Sequence, residues 1–170
     1  MELIEQELTR GIYRGIGEFH VFGQDAAATQ VGRIVRLSVE QGLWLHAHVD
    51  VQALHALHAH DGRARVIWAH TGFGTPVAEV AELLERYPAL MGELSYRSGI
   101  VEGDRLTAEW RELLTRHADR FLIGSDTWVN ERWESYGSLM AGYRAWLAQL
   151  PKPAAEQIAF RNAERIFPRR

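Results

Sequence analysis

Cysteine is absent from this chain of 170 residues. Its absence excludes disulfides, thiolate zinc sites and a cysteine nucleophile. Long apolar runs are also missing, and the opening MELIEQELTRG is charged rather than typical of a secretory signal, so we expect a cytoplasmic protein with no membrane partner. The formal net charge of −3 gives no general attraction to nucleic acid, which is therefore not an expected partner.

Linkers, blocks of like charge and low-complexity runs are missing as well. We therefore expect residues 1–170 to form a single domain. The hydrophobic fraction of 46% and the charged fraction of 24% are those of a globular domain with a sizeable core.

Strand-like alternation recurs in five segments: GIGEFHVF, GLWLHAHVD, VIWAHTGFG, MGELSYRSG and FLIGSDTW. Successive side chains on a strand point to opposite faces. One face is expected to carry the ionisable and hydroxyl side chains Glu18, His20, His46, His48, Glu93, Ser95 and Arg97. The other face is expected to carry the apolar side chains Phe19, Val21, Leu45, Val49, Ile67, Ala69, Leu94 and Tyr96. Such strands bury the apolar face under helices and direct the ionisable groups toward a common centre.

Apolar residues at helical spacing separate these segments. Helices are predicted over residues 1–9, 25–41, 76–87, 104–117 and 134–149, with a short helix over VQALHALHAH and a last one from Pro153. Thr75 and Asp104 are the predicted N-caps of two of them, with Pro76 at the first helical position. The histidines of the short helix are predicted to be surface residues: His55, His58 and His60.

This alternation of strands and helices predicts right-handed crossovers and a parallel sheet. A closed barrel of eight strand-helix units needs roughly 250 residues. The five units seen here therefore predict a partial (β/α)8 TIM-type barrel. An open doubly wound sheet is the alternative, although no glycine-rich phosphate loop follows the first strand.

Candidate catalytic residues lie at the ends of these segments. His46 and His48 form a His-x-His pair whose imidazoles lie on one side of a strand, and a neutral imidazole is the commonest metal ligand. A pair of hydrogen-bonded core histidines is the other interpretation. His70 ends the next segment. Asp126 ends the last one, at the strand terminus where barrel active sites are built, unless it only caps the following turn.

Further residues are candidates for supporting roles. Glu18 and His20 could orient a ligand imidazole from behind, or form an internal ion pair. Arg97 could bind a substrate carboxylate, or neutralise Glu93. Trp128 could line a substrate pocket or pack in the core.

At these residues the sequence resembles the amidohydrolase superfamily, specifically the amidohydrolase-2 type of metal-dependent hydrolases with a TIM barrel. The matching elements are GIGEFH, LHAH, VIWAHTGFG, FLIGSDT and NAERIF, in order over nearly all of the chain. The resemblance implies that His46 on the fifth barrel strand binds a divalent metal, zinc or manganese. It implies that His70 on the sixth contacts substrate or assists proton transfer. Asp126 then closes the eighth strand, and Glu18 falls on the fourth.

The sequence departs from that family in one respect. Family members carry a His-x-His pair on their first strand, and nothing upstream of Glu18 matches it. The first three strands are therefore expected to be missing. Three explanations follow: the chain is a fragment, the strands come from elsewhere, or His48 joins His46, His70 and Asp126 as a substitute zinc ligand.

The function implied by this resemblance is metal-dependent hydrolysis of an amide, lactone or ester bond in a small molecule, with non-oxidative decarboxylation as a neighbouring chemistry. Asp126 would hold the attacking water and move its proton, and His70 would stabilise charge on the carbonyl oxygen. The alternative is a non-catalytic, truncated barrel. Because an open arc of strands leaves two edges and an inner face uncovered, a homo-oligomer is expected.

Overall fold

The main sheet of the protein is an arc of parallel strands. The computed structural model describes residues 2–168. Five strands form the arc: β1 (Gly15–His20), β2 (Trp44–His48), β3 (Arg65–Trp68), β4 (Leu90–Glu93) and β7 (Phe121–Leu122). They are hydrogen-bonded in the order β1-β2-β3-β4-β7, and every pairing is parallel. Each new strand lies beside the previous one, as in a barrel wall, whereas the strand order of a doubly wound sheet reverses. The doubly wound alternative is therefore wrong.

Helices connect these strands. The α-helices are α1 (Glu2–Leu8), α2 (Thr29–Glu40), α3 (Val51–His60), α4 (Val77–Arg86), α5 (Ala108–Arg116), α6 (Asn130–Leu147), α7 (Lys152–Glu156) and α8 (Asn162–Ile166). A π turn over Gln157–Arg161 joins α7 to α8, and short 3₁₀ turns cover Gly23–Ala27, Ala69–Gly72 and Ala118–Arg120. Within residues 2–168, no helix is long and apolar enough to cross a membrane.

The starts of two helices differ from the prediction. The Thr75 hydroxyl donates to the Gly72 carbonyl at 2.8 Å, and Pro76 is the N-cap of α4. Residues 101–106 form a hairpin of β5 (Val101–Glu102) and β6 (Arg105–Leu106) instead of starting a helix at Asp104. Gly103 lies at φ 58° in its turn, and a Gly-Asp pair between two short strands is the signal for such a turn.

The outward side of the sheet carries the main core. Outward side chains such as Leu45, Val66, Trp68 and Phe121 are fully buried against α2 to α6. Burying one side chain of this size stabilises the fold by about 1.5–3 kcal/mol. This packing keeps α2 to α6 on one side of the sheet and leaves the inner side for other contacts.

The inner side of the sheet has a smaller apolar cluster of its own. Its members are Trp44, Ile67, Met91, Leu122 and Ile166 of α8. The prediction that Ile67 faces the helices is wrong, because Val66 and Trp68 occupy the outward positions of β3 and alternation turns Ile67 inward. Tyr96 lies beyond the end of β4 and is 45% exposed, so it does not belong to the apolar face either.

Candidate metal centre

A β-bulge in β1 places Glu18 on the inner face of the sheet. Gly17 pairs with His46 and Phe19 pairs with Ala47, so Glu18 is the extra residue between them. No other residue fits at Gly17. Its φ of 145° is one that residues with a side chain rarely adopt, and a Cβ there would lie 2.2 Å from the His46 carbonyl oxygen. The close approach of β1 to β2 therefore requires glycine at this position.

Four imidazoles surround the Glu18 carboxylate. Oε1 lies 3.0 Å from His48 Nδ1, 3.6 Å from His20 Nε2 and 3.7 Å from His70 Nε2. Oε2 lies 3.9 Å from His46 Nε2. Ligand atoms bound to one tetrahedral zinc ion at 2.0–2.1 Å are about 3.3 Å apart. The spacing around Glu18 is close to that value. We call Glu18 with these four histidines the inner cluster.

The His-x-His pair of β2 points into this cluster as the alternation predicts. The Nδ1–H of His48 donates a 3.0 Å hydrogen bond to the Glu18 carboxylate, which can only accept. Burial lowers the pKa of His48, an effect that the hydrogen bond to Glu18 opposes and the neighbouring His20 and His70 reinforce. The Nε2 atom of His46 is buried and has no hydrogen-bond partner among residues 2–168. An orphaned nitrogen and an imidazole with a lowered pKa both suit a metal ligand.

His70 reaches the same cluster by a different route. Continued alternation would place residue 70 on the outward side with Val66 and Trp68, but the chain leaves the strand at Ala69–Gly72. His70 and Thr71 have left-handed φ values of 54° and 43°, which turn the imidazole inward. Its Nδ1 lies 2.8 Å from the Ser95 carbonyl oxygen, which can only accept. Nδ1 therefore carries the proton in the neutral ring, and the lone pair of Nε2 faces Glu18.

Glu93 stabilises the turn at His70 through hydrogen bonds. Its buried carboxylate accepts from the His70 amide at 3.1 Å, the Ser95 amide at 2.6 Å and the Ser95 hydroxyl at 2.8 Å. The Thr71 hydroxyl also donates to the Glu93 carbonyl at 2.8 Å. Since both carboxylate oxygens are already occupied, Glu93 holds the turn in place and is not a free metal ligand. The sequence pattern placed Glu93 on the inner face but gave no sign of this role.

Asp126 joins the centre from beyond the end of β7. The strand ends at Leu122, and Asp126 lies in the following loop at φ 45°. One carboxylate oxygen of Asp126, an oxygen of Glu18 and a nitrogen of His70 lie within 4.8 Å of one another. Glu18, His20 and His48 form a second group within the same distance. Glu18 belongs to both groups, which makes it the centre of the potential ligand set.

Two predicted substrate contacts lie outside this group. Arg97 is only 9% exposed; it donates to the carbonyls of Ser98 and Thr75, and its guanidinium lies 4.8 Å from the Trp110 ring centroid. These contacts join the loops after β3 and β4. Trp128 is 74% exposed and lies 5.8 Å from the guanidinium of Arg132, so it is not a core residue. Their binding of substrate stays a prediction.

The histidines of α3 form a separate group, and one of them corrects the prediction. His58 is 6% exposed and stacks on Tyr87 with centroids 3.9 Å apart, so it is not a surface residue. Burial lowers its pKa to about 4, assisted by the nearby His55. His55 Nδ1 lies 2.6 Å from the Tyr87 hydroxyl, and His60 Nε2 lies 2.8 Å from the Ala26 carbonyl. Leu54 and Leu57 of α3 are buried in the main core, and His58, four residues after Leu54, is buried on the same side of the helix.

A cavity of about 360 Å³ lies beside the inner cluster. His46 and Glu93 border it on the polar side, and Trp44, Ile67 and Leu122 border it on the apolar side. The inner face thus offers room for a bound group next to His46.

Comparison with known proteins identifies the fold. No protein-family model matches the sequence, and a search of curated proteins found no match. A crystal structure of an amidohydrolase from Burkholderia multivorans with bound zinc matches with a TM-score of 0.60 and 18% identity, over 97% of this chain and 68% of that one. A second crystal structure of an amidohydrolase from Burkholderia multivorans, with bound HEPES, matches with a TM-score of 0.59 and 16% identity, over 98% and 69%. The protein therefore has the fold of part of an amidohydrolase TIM barrel, as predicted; similarity at this level of identity concerns the fold alone.

Proposed function

We propose that this protein is a metal-dependent hydrolase of the amidohydrolase type, with a divalent ion bound at the inner cluster. The observation that carries the proposal is the position of the Glu18 carboxylate, 3.0–3.9 Å from four imidazole nitrogens. A set of imidazoles and carboxylates fits zinc, and manganese is the alternative. The zinc bound to the similar Burkholderia multivorans structure supports this choice.

The proposed ligands come from two strands and one loop. The ligands predicted from the sequence are kept: His46, His48 and Asp126. Glu18 joins them because its carboxylate lies 3.0 Å from His48, 3.9 Å from His46 and within 4.8 Å of an Asp126 oxygen. The unpartnered Nε2 of His46 is the atom whose environment a bound cation would complete. His20 has a side chain that is 61% exposed, which fits an outer position better than a ligand position.

A bound divalent ion would make water more acidic and polarise a scissile carbonyl. The chain itself supplies the proton acceptors. The carboxylate of Asp126 can accept the proton of the attacking water. The Nε2 of neutral His70 is also an acceptor, because the Ser95 carbonyl fixes the proton on Nδ1. We therefore assign proton transfer to His70, whereas stabilisation of a carbonyl oxygen would require a proton on Nε2.

The substrate class proposed is a small molecule with an amide, lactone or ester bond. Non-oxidative decarboxylation could use the same ligands. The expectation of a non-catalytic, self-associating barrel draws on a different observation: β1 and β7 are the two outer strands of a sheet of five. A homo-oligomer in which these edges pair with a second copy is therefore proposed as well, and its size in solution can be measured by light scattering.

The test of the proposed function is a zinc titration of metal-free protein by calorimetry, followed by assays of hydrolysis with and without zinc. We expect one zinc ion per chain, and a Glu18→Gln variant that binds zinc at least about 100-fold more weakly, because a charged ligand is lost. The exposed Glu82 of α4 provides the matched control, Glu82→Gln. Equal zinc binding by the Glu18→Gln variant and the wild type would overturn the proposal.

A further inference from the structure

Arg132, in the first turn of α6, holds Asp126. Its Nη1 forms a short ion pair with the Asp126 carboxylate and also donates to the Asp126 carbonyl oxygen at 2.8 Å. The two side chains are only partly exposed, 32% for Arg132 and 17% for Asp126. An ion pair that is partly shielded from water is stronger than one on the open surface. The Asp126 carboxylate is therefore neutralised by Arg132 in this structure.

This ion pair conflicts with the proposed role of Asp126 as a metal ligand and proton acceptor. A carboxylate whose charge is neutralised by a guanidinium attracts a cation less strongly, because the pair carries almost no net charge. One carboxylate oxygen of Asp126 lies within 4.8 Å of ligand atoms of Glu18 and His70, yet its closest partner is a cation from its own chain. Binding of a metal ion by Asp126 and pairing with Arg132 therefore compete.

The surroundings of Arg132 indicate which ligand could take the place of Asp126 on its guanidinium. Within residues 2–168 the hydrogen bonds of its guanidinium use Nη1 alone, which leaves the N–H groups of Nη2 and Nε for another acceptor. A carboxylate is the acceptor that matches two parallel N–H groups of a guanidinium. The guanidinium also lies 4.4 Å from the ring centroid of Tyr96 and 5.8 Å from that of Trp128.

Those two aromatic rings are open to solvent. Tyr96 is 45% exposed and Trp128 is 74% exposed. Exposed aromatic rings beside an arginine offer a flat apolar surface next to a positive charge. A planar molecule that carries a carboxylate would satisfy both features at once.

We propose that Arg132 determines the specificity of this site for planar, carboxylate-bearing substrates, and that the substrate carboxylate replaces Asp126 on Arg132. The released Asp126 then serves the bound ion and the attacking water. The substrate carboxylate bound by Arg132 is separate from the bond that is hydrolysed. This inference rests on the proposed function for the role of the released Asp126, whereas the exchange on Arg132 can be measured without metal.

Benzoate, which is planar and anionic, is the first probe, titrated against metal-free protein by calorimetry. We expect Asp126→Asn to bind benzoate at least about fivefold more tightly than the wild type, because Arg132 is freed, and Arg132→Met to bind it at least about tenfold more weakly. Arg144→Met, which removes an exposed arginine of the same helix, is the matched control and should bind as the wild type does. Neutral benzamide should bind more weakly than benzoate to the wild type.

Equal benzoate binding by the wild type and Arg132→Met, or no benzoate binding by Asp126→Asn, would overturn the exchange. Zinc affinity is the second measurement. Saturating benzoate should raise the zinc affinity of the wild type at least about fivefold and leave that of Arg132→Met unchanged, because coupling between two ligands is reciprocal. If zinc binds but benzoate does not change its affinity, the exchange is wrong and the proposed function stands. If benzoate follows the expected order but no variant binds zinc, the Arg132 site stands and the proposed function is wrong.

Discussion

Two groups of histidines in this protein have opposite surroundings. The inner cluster places four imidazoles around the single carboxylate of Glu18. The outer group on α3 has a tyrosine hydroxyl and a main-chain oxygen as its partners, and both ring nitrogens of His58 are unpartnered within residues 2–168. The comparison shows that histidines close in sequence need not share the same kind of partner. Convergence on a shared carboxylate is the distinguishing feature.

Backbone geometry explains the difference. A strand directs residues two apart to one face, so β2 delivers His46 and His48 to the same side of the sheet. On a helix, residues three apart share a face, and that face of α3 packs His55 and His58 against Tyr87. On α3 this face packs against the ring of Tyr87. On β2 the histidine face borders a cavity and contacts the Glu18 carboxylate.

The largest expected effect comes from Gly17→Ala, which would remove the carboxylate from the inner cluster. The new Cβ would meet the His46 carbonyl oxygen at 2.2 Å, so β1 must shift away from β2 and carry Glu18 with it. We expect a loss of about 3 kcal/mol or more in the free energy of unfolding, measured in urea, together with loss of zinc binding. Gly137→Ala in α6, where a Cβ meets no atom within 4 Å, is the control: it should leave zinc binding unchanged and raise the free energy of unfolding by up to about 1 kcal/mol, because alanine favours a helix over glycine. Wild-type zinc affinity in Gly17→Ala would show that the bulge does not position Glu18.

The second prediction concerns the outer group and pH. The pKa of His58 in the folded protein is about 4, below its unfolded value of about 6.5, so the unfolded chain takes up a proton first as the pH falls. The contribution of uncharged His58 to the free energy of unfolding is fully present above about pH 6.5. As the pH falls from 6.5 to 4, this contribution is lost, and the free energy of unfolding decreases by up to about 3 kcal/mol. Urea unfolding of the wild type and His58→Phe across this range measures it. Parallel pH profiles for the two proteins would contradict an uncharged, buried His58.

The third prediction separates the two groups directly. His48→Gln should weaken zinc binding by about 10-fold to 100-fold and change the free energy of unfolding by less than about 0.5 kcal/mol. His58→Gln should lower the free energy of unfolding by about 1–2 kcal/mol through lost packing on Tyr87 and leave zinc affinity unchanged. Each variant is the control for the other. If both changed zinc affinity equally, the distinction between the groups would be lost.

Much of the fold follows from local patterns in the sequence. The parallel strands and their helices were predicted because alternation and helical spacing are properties of short segments. The His-x-His pair of β2 was predicted for the same reason. The hairpin over residues 101–106 and the inward position of Ile67 were missed, because a Gly-Asp turn and the register of a short strand depend on only a few residues.

The candidate site was less predictable because it depends on departures from regular geometry. Glu18 reaches the centre through a bulge, and His70 through two left-handed residues. The pairing of Asp126 with Arg132 joins a loop to the first turn of the next helix. The period of two placed Glu18 on the ionisable face, but it contains no information about the bulge in β1, the left-handed turn at His70 or the pairing of Asp126 with Arg132, since each of these departs from regular strand geometry.

The most direct test is a zinc anomalous-difference map from crystals of the protein grown with zinc. We expect one peak bound to a Glu18 carboxylate oxygen and to imidazoles of the inner cluster, at distances of about 2.0–2.2 Å. A peak among the histidines of α3, or zinc bound without Glu18, would contradict a metal centre built on Glu18.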